Sequence, residues 1–234
     1  MHRVHDVGWG AFAVILVCGS AVAQLRRPER RPAAMQQLLA CLAAGGLSMT
    51  ASGALAPSHV IRGAFLVVPA AAMFTLHPVR IDVVRVARVN PLLIALTIVA
   101  AVPLGWFALQ QIRLQRIDTL SPHGSAFHWG TMATLALAIV VTMLVASIRA
   151  PGWLISTWSA GLALAVLGLA SVIYPDYASS VGRAWGICAV GLAVVFVAVA
   201  ERQVLVQRRT KAREASGRGP RVAVASILDE SSAA

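Results

Sequence analysis

Charged residues are scarce in this chain of 234 residues. Asp, Glu, Lys and Arg together make up 12% of it, whereas an average soluble domain carries about 25%. Apolar residues make up 58%, and the mean hydropathy is +0.76. This composition excludes a soluble globular enzyme and a disordered protein, and it predicts an all-α, polytopic transmembrane helix bundle.

Cysteine is also rare, with three residues in the whole chain. Cys18, Cys41 and Cys188 each fall within an apolar run, and no two of them form a Cys-x-x-Cys pair. This spacing excludes a disulfide-stapled secreted module and gives no sign of a zinc knuckle. We expect all three to act as small packing residues.

Long runs without charge mark the predicted membrane spans. A helix needs about 20 apolar residues to cross the hydrocarbon core, and each charge inside it is costly. Seven runs are long enough, and they leave little chain for a soluble domain. The predicted spans are residues 8–25, 35–56, 62–78, 91–111, 127–148, 153–174 and 183–200.

The basic residues fall unequally on the two sides of these spans. In a seven-span arrangement, 15 of the 20 Lys and Arg residues lie on the side of the C-terminus and five on the other side. The positive-inside rule therefore places the N-terminus outside and the C-terminus in the cytoplasm. Arginine outnumbers lysine by 19 to 1, as in proteins of GC-rich bacteria, so we expect a bacterial cytoplasmic membrane.

The last segment, residues 201–234, has a different composition. It is basic at first and ends in small residues, and we interpret it as a cytoplasmic tail that begins as a helix extension and is otherwise disordered. A basic juxtamembrane stretch is attracted to anionic lipid headgroups by about 1 kcal/mol per charge. Membrane lipids are therefore its predicted partners, with a cytoplasmic peptide as the alternative. Nucleic acid is not predicted, because the tail has no aromatic residues on which bases could stack.

The first span has an alternative interpretation. The sequence Ala21-Val22-Ala23 has the A-x-A form of a signal-peptidase site. Cleavage there would leave the basic cluster at residues 26–31 on the outer side, against the positive-inside rule. We therefore expect the first span to be retained.

Charged residues are absent from the middle of every predicted span, so a proton relay or ion-coupled pump lacks its usual residues. The chain also has no Gly-x-x-x-x-Gly-Lys-[Ser/Thr] phosphate loop. These absences favour a non-enzymatic accessory, carrier or sensor component, and no cofactor is predicted. Small residues such as Gly168 and Gly186 indicate close helix packing in a bundle, a homo-oligomer or a membrane complex. We expect Gln36 and Gln37 to add hydrogen bonds between helices.

Polar residues on the predicted outer side are the candidates for chemistry. They combine imidazole and carboxylate groups, which suit zinc or another divalent ion, in a metal-binding protein or a metal-dependent membrane enzyme. His123 and His128 are five positions apart, so a shared ion requires a turn at Gly124. The alternative is that these residues stand in water at the interface and bind nothing. The candidate ligands are His59, Asp118, His123, His128 and Asp176.

Two prolines lie inside predicted spans. Pro69 in the third span and Pro103 in the fourth lie roughly 10–14 Å below the outer surface, at 1.5 Å per residue. Kinks at matched depth predict a cavity that is open to the outside, and Gly105 permits close approach of a ligand. The alternative is the ordinary tolerance of Pro and Gly in membrane helices.

Overall fold

The computed structural model describes residues 3–53, 57–79, 83, 88–118 and 120–216. This part of the chain is helical and contains no β-strand, which confirms the all-helical fold class. The helices are α1 Arg3–Gln24, α2 Pro32–Ser52, α3 Pro57–Thr75, α4 Pro91–Ile117, α5 Pro122–Ser125, α6 His128–Ser147, α7 Trp153–Ile173 and α8 Arg183–Ala215.

Five of these helices are long and apolar enough to cross a membrane: α1, α4, α6, α7 and α8. They overlap the first, fourth, fifth, sixth and seventh predicted spans. Each has at least 20 residues, and at 1.5 Å per residue such a helix is about as long as the hydrocarbon core is thick. The length and composition of these helices thus support a membrane protein with several spans.

The second and third predicted spans correspond to α2 and α3, which are not among these five helices. Helix α2 has 21 residues, but Gln36 and Gln37 lower its hydropathy. Their side-chain amides donate hydrogen bonds to the carbonyl oxygens of Val83, at 2.6 Å, and Leu16, at 2.8 Å. The predicted bond between helices is thus confirmed for Gln37, whose acceptor lies in α1, whereas the acceptor of Gln36 lies between α3 and α4. Several side chains of α3 lie outside the described part of the chain.

Helix starts are set by proline and by short polar caps. Asn90 accepts hydrogen bonds from the backbone amides of Leu92 and Leu93 and so satisfies two donors at the start of α4. Proline follows at the first helical position, where its missing N–H removes nothing from the helix. The C-terminal end of α2 is closed by Gly53, which adopts a positive φ of 69°.

Helix α6 lies at the centre of the bundle. It packs against α2, α4 and α7, and 72% of its most apolar window is buried. Polar side chains join it to its neighbours: the Ser48 hydroxyl donates to the Gly130 carbonyl at 2.7 Å, and the hydroxyls of Thr97 and Ser147 lie 3.2 Å apart. Such contacts between membrane helices contribute about 0.6 kcal/mol each on average.

The cysteines do not all pack as predicted. Cys41 is fully buried, and its sulfur lies 3.6 Å from the Thr142 hydroxyl of α6. Cys18 and Cys188 are exposed, so the prediction is wrong for these two. An apolar run fixes the depth of a residue in a membrane but not the helix face on which it stands.

Helix α1 changes its pitch in the middle, where residues Ala11–Cys18 form a π-helix. In a π-helix the hydrogen bonds run from i to i+5, and such turns are rare in proteins. The carbonyl of Leu16 accepts hydrogen bonds from the Ser20 hydroxyl and the Gln37 amide, both at 2.8 Å. The π-helical segment is thereby joined to α2.

The chain divides into two compact units, Met1–Ala198 and Val199–Ala234. Helix α8 extends to Ala215, and the predicted tail at 201–234 falls in the second unit. Residues 217–234 lie outside the described part, so the predicted disorder of the tail stays a prediction.

Candidate functional site: a histidine cluster and an apolar cavity

The connection between α4 and α6 brings the predicted polar residues together. Asp118 follows the last residue of α4, and Ser121 caps the short helix α5 by accepting from the backbone amides of His123 and Gly124. This turn, with a buried Gly124, is the one that a His123–His128 pair requires. Helix α6 then begins at His128.

The two histidines of this turn are in contact. The Nδ1 atoms of His123 and His128 lie 3.3 Å apart. From α1, His5 stacks on His128 with the ring centroids 3.8 Å apart and the planes inclined by 24°. The sequence-based prediction did not include His5 among the metal ligands, because its helix is distant in sequence and only packing brings it here.

Asp118 accepts two hydrogen bonds on one carboxylate oxygen. The Ser121 hydroxyl donates to Oδ2 at 2.6 Å, and the indole N–H of Trp129 donates to it at 3.0 Å. These bonds favour the ionised form, the one from Ser121 most, and they lower the pKa of the Asp118 carboxyl from its usual 3.8. The carboxylate is therefore held in place beside the histidine pair rather than free to rotate.

The remaining predicted ligands lie elsewhere or outside the described side chains. Asp176 is exposed in the turn between α7 and α8, where Tyr174 and Tyr177 stack with their centroids 5.4 Å apart. The side chain of His59 lies outside the described part. Among the described residues, no group of three or more His, Cys, Asp or Glu side chains is placed to hold a metal ion.

The His123–His128 pair offers two nitrogen atoms as ligands to a metal ion. Zinc binds histidine nitrogen at about 2.0–2.1 Å, so two nitrogens on a tetrahedral ion lie about 3.3 Å apart. The observed Nδ1–Nδ1 distance of 3.3 Å in the His123–His128 pair equals this value. The same distance also suits a hydrogen bond between one protonated and one bare nitrogen.

A second feature is a cavity of about 680 Å³ bounded by α4, α7, α8 and the turn before α8. The described residues that line it include no Asp, Glu, Lys, Arg or His. They are Val99, Ala100, Val102, Pro103, Leu104, Trp106, Phe107, Gln110, Gln111, Leu114, Leu164, Leu167, Ala178, Ser180, Val181, Trp185, Cys188, Ala189 and Leu192.

Only one of the two prolines predicted to open a cavity lines this one. Pro103 lines the cavity, whereas Pro69 is exposed on α3 and does not. Gly105 does not line it either, and a β-carbon added there would meet nothing within 4 Å. This cavity lies where α4 faces α7 and α8, and the cavity predicted at the contact of the third and fourth spans stays a prediction, because several side chains of α3 lie outside the described part.

Gln111 and Gln115 lie one turn apart on α4, and both are buried. They differ in whether both ends of the side-chain amide have a hydrogen-bond partner. Gln115 donates to the Gly124 carbonyl at 2.7 Å and accepts from the Gly130 amide at 3.1 Å. Gln111 is 1% exposed and lines the cavity. Its amide donates to the Ala178 carbonyl at 2.7 Å, and within the described part its Oε1 has no hydrogen-bond partner.

No known protein helps to choose between the cluster and the cavity. No protein family, curated protein or solved structure matches this chain. The function therefore has to be inferred from the chemistry of these two features.

Proposed function

We propose that this protein is a non-enzymatic carrier or sensor of a bacterial cytoplasmic membrane, which binds a neutral and largely apolar ligand between α4, α7 and α8. The observation that carries this proposal is the cavity of about 680 Å³ with its uncharged wall. Small-molecule sites typically measure about 300–1,000 Å³ and are lined by apolar and aromatic residues with a few polar groups.

The wall chemistry favours an uncharged ligand. Trp106 and Phe107 from α4 and Trp185 from α8 supply large aromatic surfaces, and Pro103 lies among them. A charged ligand would lose its hydration without gaining an opposite charge, which is unfavourable in an apolar setting. The glutamine side chains of α4 provide the polar contacts.

A brominated probe tests this proposal, because bromine quenches tryptophan fluorescence on contact. The full chain in phosphatidylcholine nanodiscs is titrated with 11-bromo-1-undecanol. Ala189→Phe fills the cavity, and Ile187→Phe adds the same ring at an exposed position that does not line it. We expect saturable quenching in the wild type and in Ile187→Phe, and its loss in Ala189→Phe. Quenching that rises linearly with probe and is equal in all three proteins would refute the proposal.

We further propose that α2 and α3 complete a seven-span bundle with the N-terminus outside. The charge bias of 15 to five supports this, as do the hydrogen bonds that the side-chain NH₂ groups of Gln36 and Gln37 donate to other segments. If α2 crosses the membrane, Arg27 and Gly53 lie on opposite sides. In a Cys18→Ser, Cys188→Ser background, an impermeant maleimide should label Gly53→Cys in intact cells and Arg27→Cys only after permeabilisation. Labelling of both positions from the same side would show that α2 does not cross the membrane.

Metal binding is the second candidate function, favoured by the distance of 3.3 Å between the Nδ1 atoms of His123 and His128. His59, Asp118 and Asp176 are the further ligands that the sequence offers. Elemental analysis of the untagged protein, beside His123→Ala/His128→Ala, should then find stoichiometric zinc that the double variant lacks. Background metal in both proteins would retire this function and with it a metal-dependent enzyme.

Two partner proposals accompany this function. We propose that the basic segment after position 201 binds anionic headgroups, and that the protein assembles as a homo-oligomer or as a subunit of a membrane complex. The lipid that the full chain retains after mild solubilisation should contain a larger fraction of phosphatidylglycerol than the membrane it came from, and equal fractions would contradict the headgroup proposal. Mass measurement after mild solubilisation should give more than one chain; a monomer without partners contradicts the assembly proposal.

A further inference from the structure

Gln111 carries the one polar atom of the described cavity wall that is buried without a hydrogen-bond partner. Which end of its side-chain amide is which follows from chemistry. The nearest partner, at 2.7 Å, is the Ala178 carbonyl, which can only accept, so the group facing it is the NH₂. The oxygen Oε1 is left as an acceptor with nothing to accept from.

Gln115, one turn further along α4, shows that both the NH₂ and the oxygen of a buried glutamine can be hydrogen-bonded within this protein. Gln115 has a donor and an acceptor from the chain itself. A buried amide oxygen without a donor is unfavourable, and buried polar groups in proteins are nearly always paired. Gln37 also has an unpartnered Oε1, but of these two glutamines only Gln111 lines the cavity, so there a bound molecule can provide the missing donor.

We propose that the ligand is a neutral amphiphile whose single hydroxyl or N–H group donates a hydrogen bond to Gln111 Oε1. Oε1 itself is buried, so this hydrogen bond requires the Gln111 amide to rotate until its oxygen faces the cavity. This inference rests on the proposed ligand-binding function and adds to it the polarity of the ligand. Ethers, ketones and esters without a donor gain nothing from an acceptor, and the described wall offers no carboxylate to a cation.

The inference also orients the ligand. Gln111 and Pro103 lie eight positions apart on α4, which is about 12 Å at 1.5 Å per residue. With its donor at Gln111, the apolar body of the ligand extends past Phe107 toward Pro103. An elongated molecule with one polar end fits this arrangement.

A matched pair of probes separates the hydrogen bond from apolar burial. The probes are 11-bromo-1-undecanol and its methyl ether, which differ in the donor. Binding is measured as tryptophan quenching in nanodiscs, against the mole fraction of probe in the lipid. We expect the alcohol to bind about tenfold more tightly than the ether in the wild type, which is the contribution of one good hydrogen bond.

Two variants that replace a glutamine with leucine identify the residue responsible for the preference for the alcohol over the ether. Gln111→Leu removes the acceptor, so the alcohol and the ether should bind equally. Gln37→Leu is the control: Gln37 is also buried, also donates to a carbonyl of another helix and also has an unpartnered Oε1, but it does not line the cavity. It should retain the tenfold preference.

The possible results distinguish a failure of this inference from a failure of the proposed function. If both probes bind saturably and equally to the wild type, the inference is wrong while the cavity remains a binding site. If neither probe binds saturably, the proposed function itself fails. A preference that survives in Gln111→Leu assigns the hydrogen bond to another residue and refutes the inference. Because the preference is a ratio measured within one protein, it does not depend on how much of a variant is folded.

Discussion

Gly168 of α7 and Gly186 of α8 face each other so closely that a β-carbon added to either would lie 2.7 Å from the carbonyl oxygen of the other. The obstacle at both positions is backbone, which cannot turn aside as a side chain can. The small residues predicted to pack these two helices therefore do so at this point. The same contact holds α8 where its residues Trp185 and Cys188 line the cavity.

Gly168→Ala should destabilise the protein by about 1–3 kcal/mol, because the methyl group forces α7 and α8 apart. The free energy of unfolding can be measured by SDS titration in mild detergent. Gly191→Ala is the matched control on α8, since a β-carbon there meets nothing within 4 Å. It should be neutral or stabilising by up to about 1 kcal/mol, through helix propensity. Equal effects at the two glycines would contradict the close crossing.

Asp118→Asn should lower the stability at neutral pH but not at low pH. The hydrogen bonds from Ser121 and Trp129 lower the pKa of Asp118 below 3.8 in the folded state. A carboxyl with a lowered folded pKa stabilises the protein above its unfolded pKa, and this contribution is lost as pH falls through the folded value. Unfolding midpoints of variant and wild type should therefore differ at pH 7 and converge below about pH 3.8. Asp176→Asn, at an exposed position, is the control.

Arg27→Gly should raise the stability by as much as about 1 kcal/mol. Arg27 is exposed and adopts a left-handed backbone conformation, with φ 58° and ψ 59°. A side chain is strained there and glycine is not. The control is Arg26→Gly, next to it and without a positive φ, which should be destabilising because glycine loses more chain entropy on folding. The two free energies of unfolding should thus change in opposite directions.

Ser48→Ala should cost about 0.6 kcal/mol and not several. Its hydroxyl donates to the Gly130 carbonyl, but the Thr134 hydroxyl donates to the same oxygen at 2.9 Å. The oxygen therefore keeps a donor when Ser48 is lost. Thr50→Ala, at an exposed position that bonds only within α2, should change the free energy of unfolding by less. A larger loss at Ser48 would show that Thr134 does not compensate.

The positions of the long apolar helices could be predicted because hydropathy alone decides them. The fourth predicted span began at residue 91, where Asn90 and Pro91 start α4. The α2 helix shows where this reasoning is weaker. Gln36 and Gln37 lower its hydropathy, yet the NH₂ group of each donates to a carbonyl of another segment. The hydropathy of a helix includes each polar side chain, but it does not show whether that side chain has a hydrogen-bond partner elsewhere in the fold.

The candidate site could be predicted only where neighbours in sequence form it. His123 and His128 meet because the turn around Gly124 lies between them, whereas His5 reaches them from α1 through tertiary packing. Pro103 could be singled out from its place in the span. Gln111 could not, because its unpaired oxygen depends on the distance to the Ala178 carbonyl in another part of the chain.

The π-helical segment of α1 sets the rotation between the two ends of that helix. Its wider turns hold more residues than α-helical turns, so residues Ala11–Cys18 advance around the helix axis by a smaller angle than the same number of α-helical residues would. His5, before this segment, stacks on His128, and the carbonyl of Leu16, near the other end of the segment, accepts a hydrogen bond from Gln37 of α2. An α-helix of equal length would therefore turn His5 away from His128 while the Leu16 carbonyl kept its bond to Gln37.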